Sequence, residues 1–189
     1  MMISNMKEAV KMYMSDYRRY ASLSKGGGNP LQATLYALIA KNHCFTYSFW
    51  LRLSCRRSPL YLIAKWMHRK LSRKYGIQIP SNTQLGHGLL ISHGVGIVIN
   101  SGTVIGNNCN IHQFLSIGTS TGTPAVIGNN VFIGPNVCIV EGVHIGDNVT
   151  IGAGAVVIHD IPDNATVAGC PAKILNYNNP GRFIKNRFE

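Results

Sequence analysis

Residues 126–157 read VIGNNVFIGPNVCIVEGVHIGDNVTIGAGAVV, and a branched aliphatic residue returns at every sixth position: Ile127, Ile133, Ile139, Ile145, Ile151 and Val157. Working outward, the same beat includes Ile117, Ile111, Ile105, Ile91 and Leu85, and the patterned stretch runs on to Val167. Four places after most of these positions stands a second small or branched residue, as at Leu89, Val95, Cys109, Leu115, Val131, Val137, Val143, Val149, Ala155 and Ile161. A helix needs a period near 3.6 and a flat strand a period of 2, so a period of six with Gly and Asn between demands short strands joined by tight turns. Three such hexads close a triangular coil of about 18 residues, and stacked coils bury one aliphatic core. The pattern therefore predicts a mainly β chain built as a parallel β-helix.

The beat slips twice. Two residues too many lie between Ile91 and Ile105, and four between Ile117 and Ile127. The second surplus, Thr119-Ser120-Thr121-Gly122-Thr123-Pro124, predicts a loop projecting from the coil. Insertions between repeats form loops on one face, often the binding face.

The rest of the chain differs in character. The net charge of +11 is concentrated in residues 1–76, where 14 Lys and Arg face only Glu8 and Asp16; residues 77–189 hold 4 against 5. With a near-neutral repeat region and no basic run or metal-finger spacing in it, nucleic-acid binding is not expected. Five cysteines (Cys44, Cys55, Cys109, Cys138 and Cys170) form no CxxC pair and read as free thiols of a reducing compartment. Met1 to Asn5 leads into charged residues with no apolar leader, so a cytoplasmic location is expected. Residues 3–23 predict one helix, ended at Gly26-Gly27; residues 31–57 predict a second, with Leu35, Leu38, Ile39, Phe45, Phe49 and Leu53 on its apolar face. Ser58-Pro59 breaks the chain, and Leu60 to Tyr75 predicts a third, carrying Lys65, Arg69, Lys70, Arg73 and Lys74. Residues 1–76 thus read as a helical cap, 77–175 as the β-helix and 176–189 as a tail. The cap's basic surface, with Trp50 and Trp66, offers a peripheral contact with the inner face of a membrane as the alternative to a merely solvated face.

The candidate chemistry lies at His93, two residues after Ile91. With the insertions allowed for, the same corner of successive coils holds Gln113, Pro135 and Ala153. A column that shrinks to Pro and Ala leaves a groove for a thin extended ligand whose reactive end lies at His93. A neutral imidazole has the basicity to take a proton from a hydroxyl attacking a carbonyl. Periodicity alone also allows His93 to be one more polar corner residue.

Four segments carry a resemblance: His93-Gly94-Val95-Gly96-Ile97-Val98-Ile99, Ile117-Gly118-Thr119, Ile151-Gly152-Ala153-Gly154-Ala155-Val156-Val157 and Ala168-Gly169-Cys170-Pro171-Ala172-Lys173-Ile174. In these the chain resembles the hexapeptide-repeat acyltransferases, within them the serine O-acetyltransferase group and its relatives that acetylate capsular and other cell-surface polysaccharides. The resemblance implies a left-handed parallel β-helix, a homotrimer with sites between neighbouring β-helices, acetyl-CoA as co-substrate and no metal. It makes His93 the general base and assigns Gly118, Thr119, Pro135, Ala153 and Lys173 to coenzyme A, with Lys173 meeting phosphate.

The chain also departs from that pattern. Serine acetyltransferases place an Asp before the catalytic His, where this chain has Ser92, and an Arg-His pair in the projecting loop, where it has Gly122 and Thr123. On a loose alignment Asn29 replaces an acid that holds the ammonium. Serine is a zwitterion and calls for countercharges at both ends, so a sugar hydroxyl of a polysaccharide or its precursor is the expected acceptor, with serine as the alternative. Gln78 stands where relatives orient the histidine with a carboxylate; it can accept the imidazole N–H without neutralising an imidazolium. A weakly catalytic scaffold is a further alternative. A metal enzyme on the same fold would need several His at one point, and His87, His93, His112, His144 and His159 read as lying at different corners.

Overall fold

A computed structural model describes residues 6–21, 28–39, 42–54, 60–120 and 122–189. The expected breaks at Gly26-Gly27 and Ser58-Pro59, the thiol of Cys55 and Thr121 lie outside these residues. Among the described residues four helices precede the solenoid: α1 (Met6–Tyr20), α2 (Pro30–Leu38), α3 (His43–Ser54) and α4 (Tyr61–Tyr75). The single helix expected over 31–57 is two. Asn29 and Gln32 close a capping box with Pro30 in the first turn of α2, and Asn42 Oδ1 accepts the backbone N–H groups of Cys44 and Phe45 to start α3 anew. An Asn at that point competes with helix continuation by capping. The new start changes the helical phase, so Ala33 and Ala37 are the buried residues of α2, while Leu35, Leu38 and Ile39 are exposed rather than core-facing. Tyr13 and Tyr17 of α1 pack edge-on or tilted against Phe49 and Phe45 of α3.

The repeats form a left-handed parallel β-solenoid with three faces. Face one holds β1 (Gln84–Leu85), β4 (Val104–Ile105), β7 (Val126–Ile127) and β10 (His144–Ile145). Face two holds β2 (Leu90–Ser92), β5 (Asn110–His112), β8 (Phe132–Ile133), β11 (Thr150–Ile151) and β13 (Thr166–Ala168). Face three holds β3 (Val98–Ile99), β6 (Ser116–Gly118), β9 (Cys138–Val140) and β12 (Val156–Val157). An antiparallel strand, β14 (Lys173–Asn176), pairs with β13. Register sets like on like: Ile91 pairs with Ile111, Ile111 with Ile133, and Ile117 with Ile139. All of these point inward and are buried, which is what a period of six requires of a three-faced coil.

One corner explains the recurring Asn. Asn108, Asn130, Asn148 and Asn164 all sit at positive φ, a conformation that Asn tolerates better than other residues with a side chain. Their amides also bond to one another up the stack, Asn130 Nδ2 donating to Asn148 Oδ1 at 3.1 Å and Asn148 Nδ2 to Asn164 Oδ1 at 3.1 Å.

The first coil has no earlier coil to satisfy its backbone, and the helices supply the partners. Arg52 donates to the carbonyls of Leu85 at 3.0 Å and Gly86 at 2.6 Å while forming a buried ion pair with Asp16 at 2.9 Å. Asp16 in turn accepts the N–H of Leu89 and the hydroxyl of Ser48. Arg19 reaches the carbonyl of Gly88, and Tyr20 Oη both donates to the carbonyl and accepts the N–H of Ile91. At the other side of the bundle His68 is buried, its Nε2 2.9 Å from Tyr47 Oη.

Two predictions arise here. Arg52→Ala leaves Asp16 buried without its partner and is expected to cost about 3–5 kcal/mol in chemical denaturation. Burial pushes the imidazole of His68 down to about 4, so below pH 6.5 the unfolded chain binds the proton that the folded one refuses. Stability should fall as pH drops from about 6.5 to 4, by up to about 3 kcal/mol. A His68→Asn chain, compared in the same pH series, should show a flatter dependence.

Candidate active site

The register locates the first insertion in the turn between β2 and β3. Ile91 and Ile99 are eight residues apart, whereas their partners Ile111 and Ile117 are six apart. Within that turn Phe114 N–H donates to the Val95 carbonyl, Asn136 N–H to Gln113 and Gly154 N–H to Pro135. The corner ladder is therefore Val95, Gln113, Pro135 and Ala153, and His93 is not the member expected from counting hexads. His93 and Gly94 are the surplus pair, and they bulge out of the ladder.

The bulge is held from beneath. Gly94 donates its N–H to Cys44 Sγ of α3 at 3.1 Å, and a Cβ at Gly94 would stand 3.0–3.2 Å from Ile91, Ile77 and Cys44, so the chain comes down tightly there. Gly96 donates its N–H to the carbonyl of Tyr75 at the end of α4. Between the strand and that anchor His93 adopts φ +51° and presents an exposed side chain. Positive φ at a residue other than Gly is uncommon and turns the side chain away from the direction of its neighbours. The thiol of Cys44 is buried and burial pushes it upward, so it is no nucleophile.

A second imidazole accompanies it. Ser92 pairs in register with His112, whose half-buried ring stands 4.7 Å from that of Phe132. His112 Nδ1 lies 2.7 Å from the carbonyl oxygen of Ile133, which can only accept, so Nδ1 carries the proton and Nε2 keeps its lone pair. Burial pushes the His112 imidazole downward and the neighbouring charge of His93 pushes the same way. In register His112 stands beside Ser92, one residue before the bulge, and not opposite His93 itself. Hexad counting missed His112 because it occupies an ordinary outward position of β5; its register with Ser92 was the signal. Among the described residues no group of three or more His, Cys, Asp or Glu converges for a metal.

The other sequence-derived residues fall into three places. Pro135 and Ala153 stand on the corner ladder beyond the bulge, and Lys173, exposed on β14 and paired with Ala168, stands past its far end. Gln78 opens face three, bridged to Val98, and its backbone bonds to Ile97 and Ile99; among the described residues its side chain makes no bond to His93. Gly118, Thr119, Gly122 and Thr123 lie across face three, at the corner that leads to β7. In one chain this loop and His93 occupy opposite edges of that face.

Glu141 organises the loop and was missed. At φ +65° it donates its backbone N–H to the Gly118 carbonyl, and its carboxylate accepts from Thr119 Oγ1 at 2.9 Å, Ser120 Oγ at 2.6 Å and Ser120 N at 3.2 Å. Gly122 N–H then bonds to Thr119 Oγ1, and Thr123 fills the space where a Cβ on Gly142 would be. The sequence signal was an acidic residue at a corner where the register puts Ser101, Thr119 and His159 in the other coils. Asn29, offered as a stand-in for an ammonium-holding acid, spends its side chain on the α2 cap at 2.9 Å from Gln32 N.

The bacterial transferase hexapeptide (six repeats) family matches residues 124–159. A serine acetyltransferase of Helicobacter pylori (strain J99) is 34% identical over 120 residues, covering 61% of this chain and 70% of that protein. This chain belongs to the serine acetyltransferase-like family of hexapeptide-repeat acyltransferases. Its family fold extends to solved structures. The serine acetyltransferase of Neisseria gonorrhoeae in complex with serine matches with a TM-score of 0.71 and 28% identity, over 90% of this chain and 70% of that one. A Brucella abortus serine acetyltransferase in complex with coenzyme A matches in fold, with a TM-score of 0.69 at 23% identity over 90% of this chain and 69% of that one. The chain spans 43%, 39% and 46% of the longer serine acetyltransferases of Synechococcus elongatus, Arabidopsis thaliana and Buchnera aphidicola.

The role of Glu141 is testable without turnover. Glu141→Ala removes the acceptor that gathers Thr119 and Ser120, and hydrogen bonds to a charged group contribute about 1.5–3 kcal/mol. Amide exchange of Ser120 and Gly122, followed by mass spectrometry, is expected to speed up by roughly tenfold or more while the core strands keep their protection.

Proposed function

We propose that this acyltransferase-family chain transfers acetyl from acetyl-CoA to a hydroxyl, with His93 as general base and a homotrimer as the working unit. The observation that carries the proposal is the two-residue bulge that lifts His93, exposed, out of an otherwise regular coil in a chain of this family. His93 takes the hydroxyl proton as the oxygen attacks the thioester carbonyl. The new C–O bond forms, the C–S bond breaks, and the protonated imidazole returns its proton to the departing CoA thiolate. No acetyl-enzyme is required. Acetyl-CoA would lie along the ladder past Pro135 and Ala153, with Gly118 and Thr119 as further contacts and Lys173 as phosphate partner. Gln78, or the lone pair of His112 Nε2, would orient the base.

The homotrimer is supported by what one chain lacks. The loop at Gly122 and Thr123 lies across face three from His93, so a neighbouring copy would complete the acceptor site. No helix among the described residues is long and apolar enough to cross a membrane.

The relatives are named for serine, which makes L-serine the first acceptor to test and displaces the sugar expected from the sequence. A sugar hydroxyl is kept as the second reading on a specific observation. Ser92, Gly122 and Thr123 are uncharged, Asn29 is committed to a helix cap, and the charge that Thr119 and Ser120 bond to is the Glu141 carboxylate, so nothing in that set meets the carboxylate of an amino acid.

Release of CoA thiol from acetyl-CoA, measured with L-serine and with a panel of glycans, tests both. His93→Ala should lower turnover by about 10²–10⁴-fold with the assembly unchanged by light scattering. Unchanged turnover in that variant would overturn the base assignment, and turnover with glycans alone would select the second reading.

A further inference from the structure

We infer that the outer face of α4 is a docking surface for an anionic lipid membrane. Ala64, His68 and Leu71 bury one side of this helix. The opposite side exposes Leu62 at 75%, Ile63 at 55% and Trp66 at 60%, followed by exposed Arg69, Lys70, Arg73 and Lys74. The helix contains no acidic residue. Trp66 and the four cations frame one open depression of about 590 Å³, and Lys70 Nζ lies 5.2 Å from the centre of the Trp66 ring.

Aliphatic and indole groups at one end of an exposed face and clustered cations at the other are the two components of interfacial binding: insertion among acyl chains and attraction to phosphate headgroups. The long basic stems can lie along the apolar patch and hold their charges toward the headgroups. Charge decides among occupants. A second copy would bring the same four cations against these and be repelled, while a nucleic acid would gain nothing from exposed Leu62 and Ile63. At 15 residues the helix extends about 22 Å and lies on a bilayer rather than through it. Its basic end abuts the catalytic bulge, since Tyr75 accepts the N–H of Gly96. Docking therefore sets His93 near the lipid surface.

Flotation of the purified chain tests this, with vesicles of phosphatidylcholine alone or containing roughly a third phosphatidylglycerol. Partition is expected to rise by about tenfold or more with the anionic lipid and to fall at high salt. Trp66 fluorescence should shift to the blue on binding. Arg69→Glu/Lys70→Glu/Arg73→Glu should abolish the anionic preference, and Leu62→Ser/Trp66→Ser should lower binding with the melting curve retained. The inference stands apart from the acetyl-transfer proposal, because His93→Ala should float like the wild type. Equal or absent binding to the two vesicle types overturns it. So does assembly into larger species that Leu62→Ser/Trp66→Ser dissolves, which assigns the face to a second copy, or capture of duplex DNA in preference to vesicles.

Discussion

A parallel solenoid satisfies the backbone of each coil with the next, and this leaves the first coil with donors and acceptors that need partners from elsewhere. In this chain the partners are side chains of α1 and α3, the charged Arg52, Asp16 and Arg19 together with Tyr20. Arg52 and Asp16 are almost wholly buried, and burying both charges carries a desolvation cost that their mutual attraction alone does not reliably offset. The cost is met because both terminal nitrogens of Arg52 and one oxygen of Asp16 also bond to the coil, engaging Leu85, Gly86 and Leu89. The helical bundle is thereby fixed to the solenoid in one orientation. That orientation puts Cys44 under Gly94 and Tyr75 beside Gly96, so the geometry of the His93 bulge descends from the way the first coil is capped.

The proposed chemistry enters where the repeat is broken. A regular coil can offer a side chain only at the outward positions of its ladder, in line with the coils above and below. His93 escapes that line through two extra residues and a left-handed backbone. The loop after Gly118 escapes it through four more and is then gathered by Glu141, whose carboxylate substitutes for the backbone pairing that the inserted residues lack.

The sequence was legible wherever burial repeats. The inward isoleucines, the two insertions and the basic helical segment can all be read because a periodic core forces a periodic pattern. Local competition was less visible. Asn42 restarts a helix that hydrophobic spacing alone would continue, and this turns Leu35, Leu38 and Ile39 outward. Counting by six placed His93 on the ladder, since a count cannot say on which side of a turn the surplus residues settle. The placing of His112 beside Ser92 and the grip of Glu141 on its loop depend on contacts between coils about 20 residues apart, and no local pattern records them.

The guanidinium of Arg19 has a consequence of its own. It bonds at once to the Gly88 carbonyl of the first coil and to the Lys185 carbonyl of the tail, near where Phe188 stacks on His87. One side chain from α1 thus ties the first coil to a tail residue 166 positions beyond itself. The tail works as a latch: it can close only on coils already wound, and its closing secures the first coil from outside as α1 secures it from below.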